Sequence, residues 1–246
     1  SQYTNSIFYC IPTLHNPTQH SYSTEEKQKI IMQCEQHGIP IVEDDVYGDL
    51  YFNHERPKPL KSFDTNDNIL YLNSLSKTVS PGLRVGWIVA KPSVAAHLAD
   101  LKMQNDYGAS SISQYIATQW LTHPQYHDQH LKMLKNQLLI KRNLFLESLK
   151  KYFSDFGSWS TPEGSFYIWF QFKFSIDMKR LFDEAIAENI LINPGEVYDK
   201  DARDCIRFSY AYVDAEDIDE TLKHLSKIIQ TRFTPPSSHI GKGNHG

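Results

Sequence analysis

The most informative segment of the chain is SLSKTVSPGLRVGW, at residues 74–87. It follows the apolar run at residues 69–72, which predicts a buried strand, and the apolar residues at 85–90 predict the next strand. Between them stand two serines, Lys77, a Pro-Gly turn and an arginine. In α/β proteins, ligand crevices form outside the C-terminal ends of the strands. Hydroxyls and an arginine at such a place predict a phosphate site, because they offer hydrogen-bond donors and a fixed positive charge.

Lys77 stands beside this predicted phosphate site. A lysine next to a bound phosphate suggests covalent attachment of pyridoxal phosphate, which requires an amine that can lose its proton. The alternative is a solvated lysine in a turn, and the short pattern Ser-x-Ser-Lys does not exclude it.

Acidic residues at the end of an upstream strand favour the cofactor interpretation. The run VEDDVYGD at residues 42–49 contains Asp44 and Tyr47 in the spacing Asp-x-x-Tyr. A carboxylate against the pyridine nitrogen keeps that nitrogen protonated, and a tyrosine hydroxyl can bind the neighbouring ring oxygen. Asp45 competes with Asp44 for the first role, and the spacing favours Asp44. The alternative is a solvated acidic loop or a weak metal site.

Asn16 follows a third predicted strand, at residues 7–11, in a turn marked by Asn16-Pro17. Its amide is predicted to donate to the same ring oxygen as Tyr47. The alternative is an ordinary turn asparagine.

In this order, the three strand ends resemble the class I/II aminotransferases, which are fold-type I pyridoxal-phosphate enzymes. Three later segments extend the resemblance, which covers roughly residues 7–230. They are PEGSFYIW at 162–169, NPGEVY at 193–198 and CIRFSYA at 205–211.

The resemblance implies a role for each matching residue. Lys77 would bind the cofactor covalently and later move the Cα proton of a substrate. Asp44 would pair with the pyridine nitrogen, while Asn16 and Tyr47 would contact the ring oxygen. The implied phosphate-binding residues are Ser74, Ser76 and Arg84.

Arg207, on a predicted strand, would bind the α-carboxylate of an amino acid through a bidentate pair. The alternative is an ordinary strand arginine. The chain departs from the family pattern at three places. Gln19 and Ser165 stand where the family usually has glycine, and Tyr198 stands where it usually has phenylalanine.

The resemblance implies an α/β fold, made of the C-terminal part of the large aminotransferase domain plus a smaller α+β domain. The large domain would have a mainly parallel sheet with helices. The predicted boundaries are 1–123 for the partial pyridoxal-phosphate-binding domain, 124–152 for a long connecting helix, 153–233 for the small domain and 234–246 for a flexible tail. Periodicity and end signals predict the other helices at 24–37, 92–104, 111–122, 177–188 and 215–230, and the later strands at 166–172, 191–192 and 205–209.

Composition bears on whether the chain is a globular, membrane, disulfide-bonded or metal-binding protein. The net charge is −4 and 40% of the residues are hydrophobic, so the chain can form a sizeable core. No apolar run is long enough to span a bilayer, which with the composition predicts a cytoplasmic protein without a membrane partner. The three cysteines are predicted to be buried and reduced. The histidines at 123, 127 and 130 are predicted to lie on a solvated helix face, so no metal site is expected.

Two functions use the same residues. One is the amino-acid- or cofactor-sensing effector domain of a GntR-type transcriptional regulator of the MocR group, which residues 43–52 and 80–87 resemble. The other is a fragment of a metabolic aminotransferase that moves an amino group from an amino acid to a 2-oxo acid. A third alternative is a truncated domain that has no activity alone, so whether the chain turns over substrate stays open.

The resemblance also bears on partners. The segment that forms the N-terminal part of complete family members is not in this sequence. The chain is therefore expected to be a fragment of a longer protein. The parent is expected to be a homodimer that binds an amino acid or a 2-oxo acid. No basic patch is present, so DNA is expected to bind only through a missing N-terminal domain.

Overall fold

The computed structural model describes residues 6–52 and 55–233. Within them the chain forms six α-helices and eight strands. The helices are α1 (Thr24–Gln36), α2 (Pro92–Asp106), α3 (Ser111–Leu121), α4 (Pro124–Tyr152), α5 (Met178–Ala187) and α6 (Ile218–Arg232). The strands are β1 (Phe8–Cys10), β2 (Ile41–Asp44), β3 (Ile69–Ser74), β4 (Gly86–Val89), β5 (Gly157–Trp159), β6 (Tyr167–Phe172), β7 (Asn193–Pro194) and β8 (Cys205–Ser209).

The described residues form two compact units. The first contains the chain up to Asn143 together with residues 161–168 and 209–211. The second contains residues 144–160, 169–208 and 212–233.

The sheet of the first unit has the strand order β1-β2-β3-β4. Strands β1, β2 and β3 are parallel, and β4 pairs with β3 in the antiparallel direction. This confirms the predicted α/β class with a mainly parallel sheet. Because the three parallel strands run the same way, their C-terminal ends meet at one edge of the sheet.

Helix α1 covers one face of this sheet. It begins with a capping box, in which the Ser23 side chain accepts from the Glu26 N–H and the Glu26 side chain accepts from the Ser23 N–H. Its apolar side contributes to the buried core of the unit. The buried members of this core are Cys10, Ile31, Cys34, Ile41, Leu60 and Ile69.

The segment at residues 161–168 lies against the loop after β2. The Phe52 N–H donates to the Glu163 carbonyl at 2.8 Å, and Tyr51 forms an isolated bridge with Gly164. A side chain at Gly164 would collide with the Leu50 carbonyl oxygen and the Leu14 side chain. Glycine in this motif therefore allows two backbones to approach closely.

The second unit is built on the sheet β5-β6-β8-β7 and a core of aromatic rings. Phe153, the first residue after α4, is fully buried, and its ring lies 5.6 Å from Phe170 and 5.8 Å from Phe208. The rings meet nearly edge to face, an arrangement that aromatic pairs favour. This packing fixes strands β6 and β8, the second of which carries Arg207.

Most predicted elements are confirmed to within a few residues, and α4 and β8 have the predicted bounds. The strand predicted at 191–192 is wrong, since the pairing with β8 begins at Asn193. Ile192 is buried but Leu191 is 74% exposed, so the apolar pair reflects one buried side chain and not a paired strand. The three cysteines are confirmed as free and buried. The predicted tail at 234–246 lies outside the described residues.

Lys27 on α1 and Glu43 on β2 have ionisable side chains that are buried in the first unit. Lys27 donates to the Lys58 carbonyl at 2.8 Å and to the Thr13 hydroxyl at 3.3 Å. Glu43 accepts from the N–H groups of Leu60 and Lys61 at 2.7 and 2.8 Å. Burial nevertheless raises the pKa of Glu43 to about 7, because desolvation outweighs these hydrogen bonds.

This shift predicts a pH-dependent stability. The unfolded state ionises Glu43 near its ordinary pKa, so the contribution of Glu43 is complete below that value and is lost as the pH rises through about 7. Glu43→Gln removes the titration. We expect the free energy of unfolding of the wild type, relative to Glu43→Gln, to fall by about 2–3 kcal/mol between pH 5 and pH 8 in urea titrations.

The matched control is Glu25→Gln, because Glu25 is exposed on α1. Its difference from the wild type should stay constant over the same pH range. A constant difference for Glu43→Gln as well would contradict the buried titration.

Candidate functional site

Three of the predicted site segments meet at the C-terminal edge of the parallel strands. Asn16 lies in the turn after β1, Asp44 is the last residue of β2, and Ser74 is the last residue of β3. The turn around Asn16 is closed by the Gln19 N–H, which donates to the His15 carbonyl at 2.6 Å. The parallel pairing of β1 with β2 and of β2 with β3 brings these ends together.

Lys77 lies in a tight turn directly after β3. Leu75 is buried, and its carbonyl accepts from the N–H groups of Val79 and Ser80 at 2.9 and 3.1 Å. Thr78 directly follows Lys77, and its carbonyl accepts from Nε2 of His130 on α4 at 2.9 Å. The backbone on both sides of Lys77 is therefore held by hydrogen bonds.

The three predicted phosphate-binding residues are connected to one another. The Ser74 hydroxyl donates to the Val85 carbonyl at 2.9 Å and forms a hydrogen bond with the Ser76 hydroxyl, also at 2.9 Å. The Arg84 guanidinium donates to the Ser76 hydroxyl at 3.4 Å. Arg84 itself has a φ of 53°, in the left-handed region, where it ends the Pro-Gly turn. This geometry brings two hydroxyls and an exposed cation to one loop.

The Asp44 carboxylate has one occupied and one open oxygen. Oδ2 accepts from the Tyr9 hydroxyl at 2.6 Å. Oδ1 is buried, and no described residue forms a hydrogen bond with it. A buried carboxylate oxygen left without a donor is costly, so this atom is directed at a place that a donor can fill.

Asp45 is engaged elsewhere. It is 1% exposed, forms an ion pair with Arg56, and accepts from the Tyr71 hydroxyl at 3.0 Å. Arg56 also pairs with Asp49. The two candidate carboxylates therefore differ in surroundings, since Asp45 belongs to a buried ion-pair network and Asp44 does not.

Tyr47 lies between the lysine and two aromatic rings of the first unit. It is buried, and the Lys77 Nζ is 5.7 Å from the centre of its ring. The rings of Phe166 and Tyr167 meet it edge to face at 6.4 and 6.3 Å. Tyr47 and Lys77 are thus brought together as the motifs predict.

Arg207 lies in the second unit, on β8 and opposite Asn193 of β7. Its guanidinium carbon is 4.7 Å from the centre of the Tyr198 ring, which in turn meets Trp169 at 6.2 Å. The aromatic ring at the position where the family usually has phenylalanine therefore stacks on the arginine.

The two positions that depart from glycine keep a backbone conformation that glycine favours. Gln19 and Ser165 both have a φ of 63°, and both are buried. Residues other than glycine adopt this left-handed conformation at a cost. The turns are therefore retained although the glycines are not.

The histidine prediction is partly wrong. His130 is half-buried against Trp120, with ring centres 5.2 Å apart, and it binds the Thr78 carbonyl. A ring on a solvated face would make neither contact. Within residues 6–52 and 55–233, no group of three or more His, Cys, Asp or Glu side chains is arranged to hold a metal ion.

The sequence does not predict three contacts: that of Tyr9 with Asp44, that of His130 with Thr78 and that of Tyr198 with Arg207. Tyr9 lies on a predicted strand, but its partner depends on the register of β1 against β2. His130 lies 52 positions from Thr78 in sequence. Contacts between residues so far apart in the sequence cannot be predicted from a local sequence pattern.

Comparison with known proteins identifies the family and the fold of the chain. The family model "Aminotransferase class I and II" matches residues 2–225. The chain is 41% identical over 222 residues to YisV of Bacillus subtilis (strain 168), named an uncharacterized HTH-type transcriptional regulator, with 90% of this chain and 46% of YisV covered. It is 39% identical over 219 residues to the HTH-type transcriptional regulator NorG of Staphylococcus aureus (strain USA300), with 89% of this chain and 49% of NorG covered.

A solved structure with the same fold is the kynurenine aminotransferase of Pyrococcus horikoshii, in complex with PMP. The TM-score is 0.88 at 26% sequence identity, and the match covers 94% of this chain and 57% of that one. The chain spans about half the length of the curated relatives it matches. From the family match, the order of the motifs and the shared fold, the chain belongs to the class I and II aminotransferase family.

Proposed function

We propose that this chain is a pyridoxal-phosphate-binding domain that senses an amino acid for a transcriptional regulator of the MocR group. The regulator role is supported by the relatives that are 39–41% identical over about nine tenths of the chain and are named HTH-type transcriptional regulators. The cofactor role is supported above all by the open Oδ1 of Asp44, at the sheet edge that also carries Lys77.

The residues present fit pyridoxal phosphate. The buried Oδ1 of Asp44 needs a hydrogen-bond donor, and a protonated pyridine nitrogen is one. The loop after β3 offers the Ser74 and Ser76 hydroxyls and the Arg84 guanidinium for a phosphate. The cofactor, when bound, supplies an electron sink that stabilises negative charge at the Cα of an attached amino acid.

The protein groups have separate tasks in this proposal. Lys77 binds the cofactor through its amine and takes or returns a proton at the Cα of the amino acid. Asp44 keeps the ring nitrogen protonated, and Asp45 is kept from competing by Arg56 and Tyr71. Asn16 and Tyr47 orient the ring through its oxygen.

We assign the amino-acid carboxylate to Arg207. A guanidinium binds a carboxylate through two parallel hydrogen bonds, and the Tyr198 ring supports its face. The ligand is therefore an amino acid or a 2-oxo acid, both of which carry that carboxylate.

Partners and location follow from the regulator role. We propose that DNA is bound by a separate domain of the intact protein and that the protein acts as a homodimer in the cytoplasm. Helices that cross a bilayer need length and apolar character together, and none of those in the described part of the chain has both.

A metabolic aminotransferase is the second candidate. It is favoured by the structural match to an aminotransferase that was solved with substrates and products. The two functions differ in outcome, because a sensor couples ligand binding to DNA binding and an enzyme accumulates product.

The cofactor assignment predicts the effect of Lys77→Ala. Without the amine no covalent bond to the cofactor forms, so the intact variant should lose the visible absorbance band that pyridoxal phosphate produces in the wild type. Lys132→Ala is the matched control, since Lys132 is an exposed lysine on α4. An unchanged band in Lys77→Ala would show that another group binds the cofactor.

The sensing role predicts the effect of Arg207→Ala in the intact protein. Losing one partner of a buried charge pair costs about 2–5 kcal/mol, so the amino-acid concentration that changes DNA affinity should rise about 30- to 5,000-fold. Cofactor affinity should not change. DNA affinity is measured by fluorescence anisotropy across an amino-acid series.

Arg203→Ala serves as the control, because Arg203 is an exposed arginine of the same unit. An amine ligand without a carboxylate should be insensitive to Arg207→Ala. If amino acids leave the DNA affinity of the wild type unchanged while a 2-oxo acid accumulates over many turnovers, the metabolic enzyme is the correct function.

A further inference from the structure

Tyr9 on β1 makes a direct contact with the carboxylate that the cofactor requires. Its hydroxyl donates to Oδ2 of Asp44 at 2.6 Å. Partial desolvation, followed by the hydrogen bond and the charge of Asp44, raises the pKa of Tyr9, so the phenol keeps its proton and remains a donor. The other titratable group that acts on Tyr9 is its sequence neighbour Cys10. Cys10 is in turn influenced by Glu43, Cys34, Lys27 and Asp44.

The strand register explains how the two side chains meet. Tyr9 is paired with Val42, so its side chain lies on the same face of the sheet as Val42 and Asp44. Asp44 is the diagonal neighbour two residues further along β2. A phenol is long enough to span that diagonal, whereas a shorter side chain is not.

The contact leaves the carboxylate with one defined open position. Tyr9 occupies Oδ2, while Oδ1 is buried and finds no donor among residues 6–52 and 55–233. A carboxylate without the contact at Oδ2 would be able to rotate about its terminal bond, since such torsions are broad. With Oδ2 bound, the direction of Oδ1 is set.

We propose that Tyr9 is a positioning residue for the cofactor, which holds Asp44 so that Oδ1 meets the pyridine nitrogen. The proposal rests on the proposed function, because it requires that the cofactor binds at Lys77. It adds a residue outside the Asn, Asp-x-x-Tyr and Ser-x-Ser-Lys motifs. Tyr9 acts through Asp44 and not on the ring itself.

The proposal makes a specific distinction between two cofactors. Pyridoxal phosphate carries the nitrogen that Asp44 would bind, and an analogue with carbon in place of that nitrogen does not. If Tyr9 acts only by orienting Asp44, removing its hydroxyl weakens the binding of pyridoxal phosphate and not that of the carbon analogue. A general structural role would weaken both equally.

The test is Tyr9→Phe in the intact protein, with the affinity for each cofactor measured by absorbance titration. The variant removes one oxygen from a side chain that is 56% exposed, so it leaves no buried cavity. We expect the dissociation constant for pyridoxal phosphate to rise about 3- to 10-fold, the scale of one hydrogen bond. The constant for the carbon analogue should stay within about twofold of the wild type, as expected when no hydrogen bond is lost.

Tyr22→Phe is the matched control. Tyr22 is a partly exposed tyrosine of the same unit whose ring packs against His20 at 5.3 Å, and its variant should bind both cofactors as the wild type does. Equal losses for both cofactors in Tyr9→Phe, or no loss for either, would overturn the positioning role. A wild type that forms no bond between Lys77 and the cofactor would instead overturn the proposed function, and the inference with it.

Discussion

A carboxylate oxygen that is buried without a donor costs free energy, and the region around Asp44 is organised about such an atom. Oδ1 of Asp44 has no hydrogen-bond partner in the described part of the chain, while the neighbouring Asp45 is fully engaged by Arg56 and Tyr71. Asp44 is the last residue of β2 and Asp45 is the first residue after it, and the two adjacent carboxylates have different surroundings. Asp45 belongs to a buried ion-pair network, whereas one oxygen of Asp44 has no donor among the described residues.

The parallel sheet makes this arrangement possible. Strands β1, β2 and β3 end at the same edge of the sheet, and a polar residue lies at or after the end of each. Strand pairing brings these residues together although they are far apart in the sequence. The turn that holds Lys77 is fixed on one side by buried Leu75 and on the other by the contact between Thr78 and His130. Lys77 is therefore held in a constrained turn, beside the buried ring of Tyr47.

Local patterns predict the elements of this fold well. The apolar runs predict β2 and β3, Ser23 or Thr24 predicts the start of α1, and leucine periodicity predicts all of α4. They fail at β7, because a short apolar pair reports burial and not hydrogen-bonded pairing. The positive φ at Gln19 and Ser165 is also invisible without the family pattern, since neither residue type prefers that conformation.

The candidate site, like the fold, is predicted from the sequence only in part. From residue type and spacing, the motifs predict which side chains are candidates for the cofactor chemistry, and these roles stay predictions. They do not predict which atoms are already satisfied, because this depends on register and on contacts distant in sequence. Tyr9 reaches Asp44 through the pairing of β1 with β2, and His130 reaches Thr78 from another helix. The spacing favours Asp44 over Asp45, and the structure adds that the two carboxylates have different hydrogen-bond partners.

The central claim is that Lys77 holds pyridoxal phosphate by a covalent bond through its amine. The most direct measurement is reduction of the intact, cofactor-treated protein with borohydride, which makes such a bond permanent, followed by peptide mass mapping. The account predicts one modified peptide, with the added mass on Lys77. Modification of a different lysine, or of several exposed lysines to similar extents, would contradict it.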